Sequence, residues 1–510
     1  LIPSRSKDDE RMDYITTTDP ATGNRRPLDI EETDDAQLAA AVSAAAQATE
    51  RLRALGRTGR AALLDSIADG LESRRDDIVA TADSETALGA SRLNGELTRT
   101  AYQLRFFGEV LREGSYLEAV IDHAGDTPMG PRPDLRRMLV PVGPVAVYAA
   151  SNFPLAFSVP GGDTAAALAA GAGVVVKAHP AHPATSALVA SVIASVTDPV
   201  VGRAVSVVYG YQAGIALVQS PRIRAASFTG SPDGGRALAE LAANRREPIP
   251  FYGELGSINP VLVSPAAADS RALSIAAGLA ASIVQGGGQF CTKPGIALVP
   301  AGASGDALVT ALTSAISAVD AKPALTVGMS DAYSAGLTEL AAVPGATLLT
   351  GRTAAETPGY TTPALVEFEG SEIPVRLSAE CFGPVAVVVR YRDDEHAAQL
   401  AASLPGTLTA SLFVEGEDDG VPEARAAITR RAGRILYDQY PTGVAVAWAQ
   451  NHGGPWPATD SVHTSVGATS IRRYLRPVAW QNAPETELPL ELRDGTADLP
   501  RRVDGVLVLP

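Results

Sequence analysis

Cysteine is almost absent: Cys291 and Cys381 are the only two in 510 residues. Two thiols cannot build a disulfide framework or a cysteine-rich zinc cluster, so no metal site is expected. Lysine is nearly as scarce, with Lys7, Lys177, Lys293 and Lys322 alone among 42 bases. Acids number 57, and the formal charge is −15. Such a surface repels phosphate backbones and disfavours nucleic acid as a partner. No run reaches the roughly 18 uncharged apolar residues expected of a membrane helix. The longest, Thr164 to Val176, is bounded by Asp163 and Lys177. Leu1 to Glu10 is polar and lacks the apolar segment of a secretion signal. A cytoplasmic protein with no membrane partner is the expectation.

What remains is an ordinary globular composition, 46% hydrophobic and 19% charged, too long for a single core. The Asp-, Thr- and Gly-rich lead-in through about residue 35 reads as irregular. Asp34 and Asp35 can cap an Ala-rich helix to about Leu55, followed by helices over Arg60–Glu85 and Leu97–Glu113. From Met138 onward, β-branched runs alternate with Ala-rich helices. The runs are Val142–Ala149, Val174–Lys177, Ala204–Tyr209 and Ala225–Thr229. Apolar strands separated by helices predict an α/β protein with a doubly wound parallel sheet. A second α/β alternation follows Glu254, and the tail from Arg472 reads as an edge strand and arm.

Three predicted strands end in residues suited to a phosphate-bearing ligand: Asn152, Lys177, and the Gly230-Ser231 turn at a helix start. Taken singly, each is equally compatible with a turn or a solvated strand end. Cys291, after Gly286-Gly287-Gly288, is a candidate nucleophile that backbone freedom would let approach a substrate. Cys381 fits a buried structural thiol better. Glu254 sits between glycines at the end of an apolar run. Desolvation there would raise its pKa toward that of a general base.

Taken in order, the chain carries Ser151-Asn152-Phe153-Pro154, Val176-Lys177, Phe228-Thr229-Gly230-Ser231, Glu254-Leu255-Gly256, Gly288-Gln289-Phe290-Cys291 and Glu380-Cys381-Phe382-Gly383-Pro384. With these motifs it resembles the NAD(P)-dependent aldehyde dehydrogenase superfamily. The resemblance implies the aldehyde dehydrogenase fold, in which an atypical Rossmann cofactor domain (14–120 and 141–255) adjoins an α/β catalytic domain (256–465). A small β oligomerisation element (121–140 and 466–510) would complete a homodimer or homotetramer. It also implies Cys291 as nucleophile, Glu254 as the base for water and Asn152 as the side-chain half of an oxyanion hole. The cofactor would be held by Lys177, His179, Pro180, Phe153, Gly230, Ser231, Gly234, Leu255, Glu380 and Phe382.

The runs Lys177-Ala178-His179-Pro180-Ala181-His182-Pro183 and His452-Gly453-Gly454-Pro455-Trp456-Pro457-Ala458-Thr459 resemble the 2-oxoglutarate semialdehyde (2,5-dioxopentanoate) dehydrogenase branch. A broad-range or long-chain NADP-linked aldehyde dehydrogenase is the alternative within the family. A non-catalytic thiol sensor or structural oligomer is the alternative outside it. A small-molecule aldehyde bearing a carboxylate needs a cation, for which Arg105 is the candidate, with Phe157, Gln289 and Ser465 also lining the substrate site. NAD-preferring relatives often carry Glu three residues after the ribose-binding lysine. Pro180 stands there, so NADP+ is expected to serve at least as well as NAD+.

Overall fold

The computed structural model describes residues 14–416, 420–496 and 498–510; the polar segment Leu1 to Glu10 lies outside them. The first long helix, Asp35–Ala54, starts where its cap requires. The Gln37 backbone N–H donates to Asp34 at 2.7 Å, and the Gln37 side chain accepts from the Asp34 N–H at 3.0 Å. The expected second helix is two, Gly56–Ser73 and Arg75–Thr86, broken at Arg74. Neither glycine nor proline marks that break, so the apolar pattern reads through it. The third helix is longer than expected, Ala90–Glu113, and stops at Gly114 in the left-handed region. The lead-in is not irregular either. Tyr14–Thr18 and Arg25–Glu31 form a hairpin whose turn is organised by Asp19, which accepts from Ala21 N–H and Thr22 Oγ1.

Five parallel strands form the first sheet, in the order Phe251–Glu254, Ala225–Thr229, Val145–Tyr148, Val174–Lys177, Val205–Val208. Chain order reverses beside Val145–Tyr148, which places a crevice at the carboxyl ends of that strand and Ala225–Thr229. Alternate residues enter different cores: Val145 and Val147 pack with the Ala90–Glu113 helix, Ala146 and Tyr148 with Leu38, Val42 and Leu217. Both faces are therefore covered, as the unbroken valine runs require.

A seven-stranded sheet follows, parallel except for its Ala346–Thr350 edge and ending at Ala432–Tyr437 on the other side. The Leu475–Gln481 strand joins Leu135–Pro141 in a third sheet of five strands. Two helices, Pro183–Val201 and Pro265–Val284, belong to stretches long and apolar enough to cross a membrane by length and composition, although Asp198 interrupts the first and Asp269 and Arg271 the second. Each instead packs with its own domain layer, the first on Gly56–Ser73, the second on Ala303–Ser317.

One buried carboxylate ties three elements beside the first sheet together. Glu85, 1% exposed, accepts from Thr17 Oγ1 on the hairpin and from the Ala184 and Thr185 N–H groups, the Thr185 hydroxyl adding a fourth bond. It thus neutralises the amino end of the Pro183–Val201 helix. We expect Glu85→Ala to cost roughly 2–4 kcal/mol, because it orphans several buried donors. A urea midpoint unchanged from wild type would refute this anchoring role.

Candidate active site

Three distant segments converge on one point. Glu254 ends its strand with 1% of its surface exposed. Its Oε1 lies 2.9 Å from His452 Nε2, and its Oε2 accepts from Ser465 Oγ at 2.7 Å. The same His452 nitrogen lies 3.6 Å from Cys291 Sγ. Burial acts to raise the Glu254 pKa, but His452, Ser465 and the Arg473 guanidinium bring it down to about 2. The expected raised carboxyl is thus a held carboxylate. Cys291 goes the other way, pushed well up by burial and by the neighbouring Glu254 charge.

The thiol loop is clamped from behind. Asn259, left-handed at φ 47°, donates from Nδ2 to the Cys291 carbonyl at 2.8 Å and to the Lys293 carbonyl at 2.9 Å. Gly288, at φ 69°, packs so tightly on Gly383 that a Cβ would fall 2.3 Å from its carbonyl carbon. Its glycine serves loop packing, where sequence reasoning had assigned it to substrate approach. Asn152 donates from Nδ2 to the Gln289 carbonyl at 2.9 Å, leaving its second amide N–H beside the thiol loop.

On one side of Cys291 a cavity of about 480 Å³ opens along the crevice. Asn152, Gly230, Ser231, Leu255, Glu380 and Phe382 lie on its wall. Ser231 caps the Pro232–Ala243 helix by accepting from the Gly234 N–H at 3.3 Å, which places Gly234 inside that first turn. Burial lifts Glu380 to about 7 against the opposing pull of Lys293. Lys177 lies farther along, its stem against Gly214, with His179 and the exposed Pro180 beyond. His179 Nδ1 accepts from the Ala181 N–H at 3.1 Å. A helix amino end, a carboxylate and an ammonium along one crevice fit the phosphates and riboses of a dinucleotide. Cys381 is buried against Gly336 at the same wall.

A second cavity, about 600 Å³, is lined by Arg92, Glu96, Arg99, Gln285, Gln289 and Lys322 among others. Phe153 belongs to this wall. Its ring packs edge-on to Phe157 and Phe290 under the Arg92 guanidinium, away from the cofactor crevice where it was expected. Phe157 also carries Arg99 over its ring, 5.3 Å from the centroid. Gln289 is turned inward: its amide accepts from Leu325 N–H and donates to the Gly286 carbonyl. Ser465, expected at the substrate, donates instead to Glu254 and lines neither cavity.

Arg105 is on the wrong face. It pairs with Asp69 and Glu72, each at 2.6 Å, outside both cavities. Arg92, Glu96, Arg99 and Gln103 follow the i, i+4, i+7 spacing of one helix face, and Arg105 lies two residues beyond, on the opposite side. Arg99 is close enough to Cys291 and Glu254 for their charges to raise its pKa, although its burial outweighs them. Arg92 donates to the Asn152 carbonyl at 2.6 Å, and Glu96 Oε1 accepts from the Leu155 and Ala156 N–H groups. The buried Arg92 Nη1 and Arg99 Nη2 have no protein partner.

The family model for the aldehyde dehydrogenase family matches residues 6–455. The chain belongs to the aldehyde dehydrogenase family. It is 44% identical over 474 residues to alpha-ketoglutaric semialdehyde dehydrogenase 2 of Azospirillum brasilense, covering 90% of each chain. To the alpha-ketoglutaric semialdehyde dehydrogenase of Acinetobacter baylyi it is 41% identical, over 92% of this chain and 90% of the other. Among solved structures, a Thermus 1-pyrroline-5-carboxylate dehydrogenase with bound NAD superposes with a TM-score of 0.78 at 20% identity, covering 92% of this chain and 90% of that one. Aldehyde dehydrogenase 21 of Physcomitrella patens, in complex with succinate, gives 0.78 at 19% identity over 93% and 96%. As an aldehyde dehydrogenase, the chain is an oxidoreductase that acts on a small-molecule aldehyde with a nicotinamide dinucleotide.

Sequence reasoning missed His452, Asn259, Arg92, Glu96 and Arg99 in this aldehyde dehydrogenase. The helical spacing of 92, 96 and 99 was a signal; nothing in spacing joins His452 to Glu254 and Cys291. Cys291 is the half-buried thiol and Cys381 the buried one, so alkylation reads Cys291. In His452→Ala the thiol is left beside a Glu254 charge that no imidazole N–H offsets. Its reaction with iodoacetamide at pH 7 should slow at least about tenfold, with the pH midpoint displaced upward. An unchanged rate and midpoint would remove His452 from thiol activation.

Proposed function

We propose that this aldehyde dehydrogenase oxidises 2-oxoglutarate semialdehyde to the dicarboxylate through a thioester on Cys291. The observation that carries the reading is the second cavity, which Arg92, Arg99 and Lys322 line, with Arg99 near enough to feel the Cys291 and Glu254 charges. Guanidinium nitrogens without protein partners suit a substrate carboxylate, whereas a long alkyl chain would leave them unpaired. The two relatives named for this semialdehyde support the same choice. A thiol sensor needs neither cavity. On this reading Arg99→Ala raises KM for the semialdehyde at least about tenfold and leaves hexanal oxidation nearly unchanged. Arg105→Ala does neither; equal effects of the two substitutions would overturn the assignment.

The residues supply each proton movement. Glu254, aligned by the His452 Nε2–H and by Ser465, takes the Cys291 proton. The thiolate adds to the aldehyde carbon, and the second Asn152 N–H with the Cys291 backbone N–H stabilises the oxyanion. When bound, the nicotinamide ring supplies the hydride acceptor that converts the thiohemiacetal to a thioester. Gly230 and Ser231 would hold its pyrophosphate, Lys177 and Glu380 its riboses, with Leu255 and Phe382 beside the ring. Glu254, having passed the first proton to solvent, accepts another from water as it attacks the thioester and returns it to the departing thiolate as the carboxylate leaves.

Cofactor choice turns on a carboxylate from a different part of the chain. Pro180 indeed contributes no charge. Thr33, however, exchanges hydrogen bonds with Tyr209 and brings Glu32 against Gly210, where a Cβ would lie 3.1 Å from the Glu32 carboxyl carbon. The Lys177 ammonium feels this charge. The premise that a 2′-phosphate meets no like charge therefore fails. We infer a preference for NAD+ over NADP+, the reverse of the expectation from Pro180 alone. The ratio of kcat/KM for the two cofactors tests it, and Glu32→Gln should narrow that ratio by roughly tenfold. A wild-type enzyme that uses NADP+ as well as NAD+ would sink the inference.

The open edges at Leu475–Gln481 and Ala432–Tyr437 support a homodimer or homotetramer, since an edge strand is a ready surface for a second copy.

A further inference from the structure

We propose that Cys291, His452 and Glu254 form a reversible inhibitory site for a divalent cation of the zinc class. Their ligating atoms, Sγ, Nε2 and a carboxylate oxygen, all lie within 4.8 Å of one another. Tetrahedral zinc with one sulfur, one nitrogen and one oxygen ligand places its donors roughly 3.3–3.6 Å apart. The sulfur–nitrogen distance here is 3.6 Å, and the nitrogen–oxygen distance is 2.9 Å. The nitrogen–oxygen edge must open slightly, and the sulfur–oxygen edge, within 4.8 Å, must close to the same range.

Charge favours the exchange. Glu254 is a carboxylate at neutral pH, and a thiolate beside it would put two negative charges in one buried site. A divalent cation neutralises both, with imidazole as a neutral third ligand. The reaction balances simply: the cation binds Sγ, Nε2 and Oε1, and the Cys291 thiol proton is released to solvent. Water fills the fourth position. Ser465 stays on Oε2 and fixes the carboxylate, the kind of outer hydrogen bond that orients a ligand. The bound cation occupies the sulfur lone pair and the proton-accepting carboxylate together, so it blocks both addition and deacylation. Sequence spacing hides the site, because Cys291 and His452 are 161 residues apart.

The test uses Co2+ as a spectroscopic probe on the whole chain, independent of any substrate assignment. One equivalent should give a thiolate-to-cobalt charge-transfer band and ligand-field bands of four-coordinate intensity. Zn2+ should displace the cobalt, inhibit aldehyde oxidation at the same stoichiometry, and be reversed by EDTA. Cys381→Ser should keep the bands and Cys291→Ser should lose the charge-transfer band. His452→Gln and Glu254→Gln, checked for fold by circular dichroism, should each weaken binding on the order of 100-fold. Should one variant fail to fold, the other carries the comparison, and proton release on Zn2+ addition to wild type reads thiol capture directly. No cobalt band in wild type, or equal Zn2+ affinity in wild type and the folded variants, would overturn the site and leave simple thiol capture. Cobalt binding without aldehyde oxidation would instead count against the proposed function and leave the metal site standing.

Discussion

Glu254 is an ionised carboxylate almost sealed from solvent, and such a charge is tolerable only where every lone pair is answered. His452 answers one oxygen and Ser465 the other, while Arg473 adds a positive field. Each partner comes from the segment after residue 450, so satisfying one charge folds that segment across the end of the first sheet. The backbone follows suit: Glu254 bridges to Thr459, and the Leu255 N–H donates to the Ala458 carbonyl at 2.8 Å. Arg473 in turn pairs with Asp163 at the start of the Gly162–Ala170 helix. The chain of contacts from Glu254 thus fixes where the carboxylate and the imidazole stand beside the thiol.

A second buried carboxyl does comparable service from behind. Glu96 has Arg92 and Arg99 as neighbours on its own helix face and uses one oxygen on the Leu155 and Ala156 N–H groups, just after the Asn152-Phe153-Pro154 turn. Arg92 grips that turn through the Asn152 carbonyl. Arg92 therefore serves twice, once to hold the turn and once to line the second cavity, whereas Arg99 bonds the Val444 carbonyl and Gln103 and lines the cavity alone.

Much of this was legible in the chain itself. Valine runs located the first sheet, with Val174–Lys177 and Ala225–Thr229 found to the residue, because strands buried on both faces leave unbroken apolar signals. Glu254 and Cys291 could be nominated from glycine-flanked positions, but their meeting could not. His452 lay in a run that marked only a subfamily. Its role exists because a segment returns 198 residues later to an anion left at a strand end. Arg105 failed for a simpler reason: the helix was started at Leu97, so the polar stripe beginning at Arg92 was cut off and the remaining arginine was on the other face. Glu32 was missed because the lead-in was read as irregular, whereas Thr33 pairs with Tyr209 and carries the carboxylate to the crevice.

The two perturbed groups at the centre make sense together. Burial and the Glu254 charge hold the Cys291 thiol protonated at rest, and a protonated thiol is a poor nucleophile and a poor target for oxidants. On the proposed mechanism the same carboxylate that opposes the thiolate is the group placed to take its proton, and the His452 N–H keeps that carboxylate in position. Glu254 therefore does not simply favour or disfavour the nucleophile; it makes thiolate formation conditional on transfer to its own oxygen, within 4.8 Å of the sulfur.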